Sequence, residues 1–397
     1  MKAERKEITM YKTLKKFVFR ALIVGNLLIV LLMILVGNVD KLHPADYPLL
    51  ANLGLGFPVI LFANLVFLVV WAFARWRMIW LPVLGFLICY GPIRTYMPFN
   101  IPKEKPHGAI KVMSFNVYMF DPWDVKKGET NPIVDYVVNS KADIVCLQEA
   151  TVDASGSDHI LDTLKKHYPY YKLMVKKKPA ADHILLLSHY PYFKLMVKKK
   201  PGADYMVLLS RYPILWQDSI PYKSNSNMSV AYMLDIKGTK TLLVNNHFES
   251  FGLTNDDKEG FKTLVKGSMK TNDMKSESSH LLHKLGTVAE RRAPEVEMVA
   301  KYVKKYLDKK VPVILCGDFN DNPLSYAHRT IANILTDCYV SSGNGPGISY
   351  HKSGMYFRID HIFCSDDFEP YGAKVDNSVT NSDHYPVYCW LKYRPKP

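Results

Sequence analysis

Six stretches, far apart along a 397-residue chain, each end an apolar run on polar residues for which a protein core has no use. They read S-F-N-V with Asn116, D-I-V-C-L-Q-E with Glu149, L-V-N-N-H-F-E with His247, V-I-L-C-G-D-F-N-D-N-P with Asp318 and Asn320, R-I-D-H-I-F with Asp360, and N-S-D-H-Y-P-V with Asp383 and His384. Each alone has a plain explanation: a lone Asn in a strand is a hydrogen-bonded core amide, a Glu after a strand is solvated, and G-D-x-N is ordinary turn chemistry. Taken together, carboxylates, amides and imidazoles at the ends of strands are the set that a hydrolytic metal site requires.

Elements able to gather these tips are legible around them. Short runs rich in β-branched residues and bounded by turn or charge signals predict strands at 110–117, 144–147, 206–209, 230–236, 241–245, 313–316, 359–364 and 387–391. Helical spacing appears at 131–140, 158–167 and 290–307, the last through Val296, Val299, Ala300, Val303 and Leu307, with Pro294 suited to its first turn. Strands mixed with a few helices predict two packed sheets flanked by helices, an α+β layered domain over 109–397. Residues 167–188 recur as 189–210 with 17 of 22 positions identical. Two copies are too few for a solenoid. Each copy reads as a strand, a basic turn containing proline and a second strand, which predicts an extra β-hairpin at a sheet edge or a looped-out segment. Its lysines then form a solvated edge that discourages sheet-to-sheet association, with a phosphate-binding patch as the alternative. The polar, weakly periodic stretch 251–286 reads as a lid or substrate-selecting insertion, against disorder.

Before residue 100 the composition is that of a membrane anchor. Apolar runs at 17–36, 49–73 and 78–91, the last extending to 96 if Arg94 lies at an interface, predict three transmembrane helices in a unit spanning 1–100, followed by a proline-stiffened linker at 101–108. A cleaved signal peptide would explain only the first run. Lys2, Arg5, Lys6, Lys12, Lys15, Lys16 and Arg20 at the start, and Arg75 and Arg77 between the second and third runs, predict a cytoplasmic amino terminus. Three crossings of a cytoplasmic membrane then leave the larger domain on the outer, periplasmic face; a cytoplasmic domain is the topological alternative. The net charge of +14 divides into +8 for residues 1–107 (13 Lys+Arg, 5 Asp+Glu) and +6 for the rest, so most of the excess is topological and tight duplex binding is disfavoured. Cys89, Cys146, Cys316, Cys338, Cys364 and Cys389 show no C-x-x-C spacing, which argues against a zinc site or disulfide scaffold and predicts small core residues.

The order N, Q-E, N-x-H, G-D-x-N, D-H, S-D-H-x-P, with S-R-Y-P-I at 210–214, resembles the endonuclease/exonuclease/phosphatase (DNase I-like) superfamily across 109–394. The resemblance implies a four-layered α/β/β/α sandwich with the site at converging strand ends. By similarity Glu149 binds Mg²⁺ or Mn²⁺, assisted by Asn116 and Asp383; Asp318 orients or deprotonates the attacking water; Asn320 holds a non-bridging oxygen; His247 and His384 face the phosphate; and Asp360 orients His384. In-line attack on a phosphodiester loads negative charge onto the phosphoryl oxygens, which a metal and neutral or cationic donors must meet. Two departures stand out: Tyr118 occupies a position where some nucleases of the family carry an acid, and the duplication falls just before S-R-Y-P-I. The expectation is a membrane-anchored, metal-dependent phosphoester hydrolase whose partners are the lipid bilayer and a phosphoester substrate (lipid headgroup, nucleic acid or small molecule), with no protein partner inferred. A non-catalytic binding module of the same fold is the alternative, although such a module would be expected to have lost Glu149, Asp318 or His384.

Overall fold

A computed structural model describes residues 2–121, 130–150, 158–175, 205–224, 227–266, 268 and 271–395. The chain opens with helix α1 (Lys2–Gly37), passes through turns to α2 (Phe57–Ala74), and continues as α3 (Trp80–Ile88) and α4 (Tyr90–Tyr96). Two helical stretches, Ile8–Lys41 and Leu53–Ala74, are long and apolar enough to cross a membrane, and Trp76–Ile88 with Tyr90–Tyr96, bent by 65°, makes a third if it counts as one span. Pro92 lies at that bend, where it lacks the amide that would bond the carbonyl of Ile88. Leu31, Phe62 and Phe73 face outward, whereas the inner faces share polar bonds. Trp71 Nε1 donates to Asn26 Oδ1 (2.9 Å), Asn26 Nδ2 to Asn64 Oδ1 (3.2 Å) and Asn64 Nδ2 to the Pro82 carbonyl (3.0 Å). Gly85 permits the close approach, since a Cβ there would stand 2.9 Å from Val30 Cγ2. The second span starts later than its apolar run: residues 49–52 are turns and Leu53–Gly56 is one 3₁₀ turn. Composition does not separate an apolar surface turn from the helix it leads into.

The remaining elements in chain order are β1 (Ile110–Asn116), α5 (Pro132–Asn139), β2 (Ile144–Ala150), α6 (Asp158–His167), β3 (Tyr170–Val175), β4 (Tyr205–Ser210), β5 (Ile214–Ser219), β6 (Met228–Ile236), β7 (Thr239–His247), α7 (Asn255–Val265), α8 (Thr271–Leu307), β8 (Val313–Asp318), α9 (Tyr326–Ala332), β9 (Thr336–Asp337), α10 (Cys338–Ser342), β10 (Asp360–Cys364), β11 (Phe368–Val375) and β12 (Val387–Tyr393). They build two six-stranded sheets, ordered β11-β12-β1-β2-β4-β3 and β5-β6-β7-β8-β10-β9. Each sheet has one parallel pair near its centre, β1 with β2 and β7 with β8; the other pairings are antiparallel. Alternate residues point to opposite faces. Val112, Cys146, Leu208, Tyr232, Leu243 and Ile314 fill the space between the sheets. Met113, Val145 and Val207 pack outward on Ile133, Val137, Ile160 and Leu164 of α5 and α6. Val244 and Leu315 pack on Val296 and Val299 of α8 and Ile331 of α9. The result is a four-layered α/β/β/α sandwich. Covering both faces explains why central strands read as unbroken apolar runs rather than alternating ones.

Several expectations need adjustment. The helix predicted at 290–307 begins at Thr271, so Pro294 lies inside a 37-residue helix rather than in its first turn. The stretch 251–286 holds α7 and the first part of α8; Thr254 and Asp257 form a capping box, a start signal hidden in a weakly periodic run. Strands β5, β9 and β11 have no counterpart among the predicted runs, and β11 contains Pro370 and Gly372, which suppress any strand signal. Strand β3 derives from the first copy of the duplication and β4 from the second, with Tyr170 opposite Ser210. Strand β3 lies at a sheet edge, while the predicted extra hairpin falls within 176–204, outside the described residues. All six cysteines are free and buried.

Candidate active site

Parallel strands end at the same edge of a sheet, so β1 and β2 deliver Asn116 and Glu149 together, and β7 and β8 set His247 directly opposite Asp318. Antiparallel β10 begins at that edge with Asp360 paired to Asp318. Asp383 and His384 arrive on the turn before β12. Two buried amides couple the sheets just below: Gln148 Nε2 donates to Asn245 Oδ1 (2.7 Å), and Asn245 Nδ2 donates to the Leu147 carbonyl (3.2 Å). Neither amide was singled out from sequence, although both sit inside quoted motifs. Gly317 is required where β7 passes, because at φ +140° a Cβ would stand 2.0 Å from the Asn246 carbonyl oxygen.

Asp318 is the hub. Its Oδ2 accepts from Asn116 Nδ2 (3.0 Å) and faces His247 Nε2 at 3.6 Å and His384 Nε2 at 3.7 Å, while Oδ1 accepts from the Asn320 amide (2.8 Å). Asn116 Nδ2 also reaches Glu149 Oε1 (3.1 Å), which lies 3.6 Å from His247 Nε2. His384 is held through Nδ1 by Asp360 Oδ2 at 2.8 Å and through its backbone amide by Ser382 Oγ at 3.1 Å, and Ser382 in turn donates to the Asn116 carbonyl (2.7 Å). The Tyr350 ring meets the His384 imidazole edge-on. Asp383 is buried, and its charge acts on both His384 and Tyr350. Asn320 spends one amide hydrogen on the Phe248 carbonyl (3.0 Å). Glu149 and Asn320 both have left-handed backbones, φ 52° and 50°, a strain that persists only where surrounding contacts enforce it. All eight residues singled out from sequence thus lie on one edge of the sandwich. The side chains of six of them, Asn116, Glu149, His247, Asp318, Asp360 and His384, form one connected set, which Asn320 joins through its backbone amide.

The electrostatics follow from burial. Burial pushes the Asp318 carboxyl well above the usual carboxylate range, against the pull of the His384 cation. Burial works to lower His384, but the carboxylates of Asp360 and Asp318 outweigh it and raise the imidazole to about 10. The ligand atoms of Asp318, Asp360 and His384 lie within 4.8 Å of one another, a grouping able to hold a metal ion. His328, Asp337 and His361 make a second such grouping, but it is internal: His328 Nε2 bonds Asp337 Oδ2 (2.8 Å) while Asp337 Oδ1 caps α10, and Arg358 adds its charge nearby. The acid missing at position 118 is replaced by Tyr118, whose amide donates to Asn116 Oδ1 (3.2 Å) and whose ring lies under the Lys352 ammonium. Sequence reading also passed over Arg292, 1% exposed on α8. Its Nε donates to the Glu249 carbonyl (3.0 Å) and its Nη1 to Asp321 Oδ2 (2.6 Å), tying together the segments that follow β7 and β8.

A two-sheet sandwich whose strand ends gather carboxylates, amides and imidazoles has the fold of the phosphoester hydrolases. The chain belongs to the Endonuclease/Exonuclease/phosphatase family, whose model matches residues 113–384. Residues 16–96 match a domain of unknown function, DUF8431. No curated protein sequence matches the chain. Among solved structures it is similar to an endonuclease/exonuclease/phosphatase from Beutenbergia cavernae (16% identity, TM-score 0.48, 72% of each chain covered). It is also similar to the human Nocturnin catalytic domain with bound sulfate (17%, 0.46, 72% of this chain and 95% of that one). A Bacteroides thetaiotaomicron family protein gives 16% and 0.46, covering 74% of this chain and 100% of the other.

Proposed function

We infer that the protein is a membrane-anchored phosphoester hydrolase that works with Mg²⁺ or Mn²⁺ outside the cytoplasmic membrane. The observation that carries this reading is the Asp318 carboxylate, buried among Asn116, His247 and His384 at 3.0 to 3.7 Å. Glu149 and Asp318 share the amide of Asn116. Two carboxylates so close favour a cation, and hard oxygen donors suit Mg²⁺ or Mn²⁺. Glu149 and Asn116, with Asp383, would hold it. When bound, such an ion supplies Lewis-acid polarisation of a phosphoryl oxygen. The other residues act directly. Asp318, its carboxyl raised by burial, is poised to take a proton from the attacking water. His384, kept protonated beside Asp360, meets the charge that develops on the phosphoryl group, and His247 faces the same charge. Asn320 offers its remaining amide hydrogen to a non-bridging oxygen.

The outer location rests on charge. Arg75, in the turn between α2 and α3, lies over the Phe19 ring, and so sits toward the basic start of α1, while the catalytic domain contacts the other end of the bundle, where Asp40 pairs with Arg329. Basic ends stay cytoplasmic. The substrate is a lipid headgroup, nucleic acid or small phosphoester, and a panel decides among them. The full chain in detergent with Mg²⁺, assayed on phospholipid, DNA, RNA and bis(p-nitrophenyl) phosphate, is expected to turn over at least one. Glu149→Ala and His384→Ala should each lose roughly 10²-fold or more. Wild type as inactive as both variants on every substrate would remove the enzyme reading.

A further inference from the structure

The strand ends that carry Asp318 and Asp360 are both fastened to the N-terminal helices. After Asp318 the chain runs through Asn320 and Asp321 and then enters the mouth of the helix bundle, where Leu324, 1% exposed, clusters with Met33, Val36, Phe57 and Cys89. Gly54, in the 3₁₀ turn before α2, lies flat against this segment. A Cβ on it would stand 2.5 Å from the Leu324 carbonyl oxygen and 2.9 Å from Asn322 Oδ1, the atom that accepts the Leu324 amide at 2.9 Å. Around this contact Asp40 pairs with Arg329 (3.2 Å) and His43 with Glu297 (3.0 Å). The second fastening is Arg358, two residues before Asp360 and 2% exposed. Its Nη2 donates to the Thr95 carbonyl in α4, its Nη1 to the Pro346 carbonyl (3.1 Å), and its guanidinium covers the Tyr339 ring. Arg94 and Asn100 extend the seam through the Val340 carbonyl, at 3.3 and 3.1 Å.

We propose that the rim of the helix bundle is a positioning element of the active site: Gly54 sets the segment that follows Asp318 and Asn320, and the Thr95 carbonyl, through Arg358, sets the start of the strand that carries Asp360. The catalytic part of this proposal rests on the hydrolase reading above. The bundle is then a component of the catalytic geometry, and a change in how its helices pack reaches two carboxylates of the site. A Cβ at Gly54 must open a 2.5 Å approach to an ordinary contact near 3.4 Å, a shift of about 1 Å within a few residues of Asp318. A misplacement of that size costs on the order of 10²-fold in rate.

The test uses the full chain in detergent and compares wild type, Gly54→Ala and Gly56→Ala. Both glycines belong to the same turn, but a Cβ on Gly56 meets nothing within 4 Å. Hydrogen exchange in 319–325 is expected to quicken about tenfold in Gly54→Ala, with 112–116 unchanged and Gly56→Ala like wild type. On bis(p-nitrophenyl) phosphate with Mg²⁺, kcat should fall by 10- to 100-fold in Gly54→Ala with KM held. Should Gly54→Ala not fold, Leu324→Ala withdraws the apolar contact instead and must alter the same segment. Unchanged exchange at 319–325 overturns the proposal, and so does faster exchange with undiminished kcat. If wild type does not turn over bis(p-nitrophenyl) phosphate, kcat is read on whichever panel substrate it does hydrolyse; if it hydrolyses none, the hydrolase reading fails, and the exchange data alone decide whether bundle and site are coupled.

Discussion

The duplication offers a deletion whose outcome can be worked from register. Tyr170 pairs with Ser210, and these are the fourth and last positions of the 22-residue unit. The pairing therefore joins the first half of one copy to the second half of the other. Removing 176–197 connects Val175 directly to Lys198, which repeats Lys176, so both strands and every pair between them survive. The separation between Val175 and Tyr205 falls from 29 residues (176–204) to 7 (198–204). Treated as chain length alone, (3/2)RT ln(29/7) amounts to about 1.3 kcal/mol in favour of the shortened protein. For a domain of this size that corresponds to a rise of roughly 2–4 °C in melting midpoint. Thermal melting by circular dichroism checks the expected rise, and an unchanged far-ultraviolet spectrum checks that the strands survive. A deletion variant that unfolds, or melts several degrees lower, would refute the reasoning that β3 and β4 keep their pairing without residues 176–197.

Three further outcomes are expected. Gly317→Ala should prevent accumulation of folded protein, a loss above about 4 kcal/mol, because its Cβ has no space beside Asn246; soluble yield and near-ultraviolet dichroism report it. Arg292→Met leaves Asp321 buried and unpaired and should cost about 3–5 kcal/mol in urea denaturation, part of it recovered when Asp321→Asn is added. Burial raises the Glu295 carboxyl to about 7. Between the unfolded value near 4.3 and that point the folded state holds a proton that the unfolded state lacks, so stability falls as pH rises through the window. Glu295→Gln should flatten that decline, as denaturation midpoints at pH 4.5 and 7.5 would reveal.

The catalytic edge was legible because its residues interrupt apolar runs. Asn116, Glu149 and Asp318 stand where a buried strand gives no reason for a polar group, and the family's spacing linked them. The central strands were readable for the same reason, since burial on both faces leaves continuous apolar runs. What escaped detection lacks such contrast. Arg292 sits in a charged stretch, R-R-A-P-E, where nothing local distinguishes the buried arginine from exposed Arg291. Pro294 carries a strong prior for a helix start, yet α8 runs through it, packed on β7 and β8 by Val296, Val299 and Val303. Tertiary packing there overrides a local preference. The seam between bundle and domain was invisible in sequence because its partners, such as Gly54 with Leu324 and Thr95 with Arg358, lie more than 250 residues apart and carry no matching pattern.

If the N-terminal helices anchor the protein in a membrane as proposed, the bonds among Asn26, Asn64, Trp71 and the Pro82 carbonyl bear on how it moves there. Hydrocarbon offers these groups no substitute partners, so α1 cannot slide along or roll against α2 without stranding amides in an apolar surround. Such a stalk has a single rotational setting. With the sandwich domain seated on its rim, the cleft of a molecule anchored as proposed would keep one heading and one height as it diffused laterally, and a substrate would have to come to it at that level.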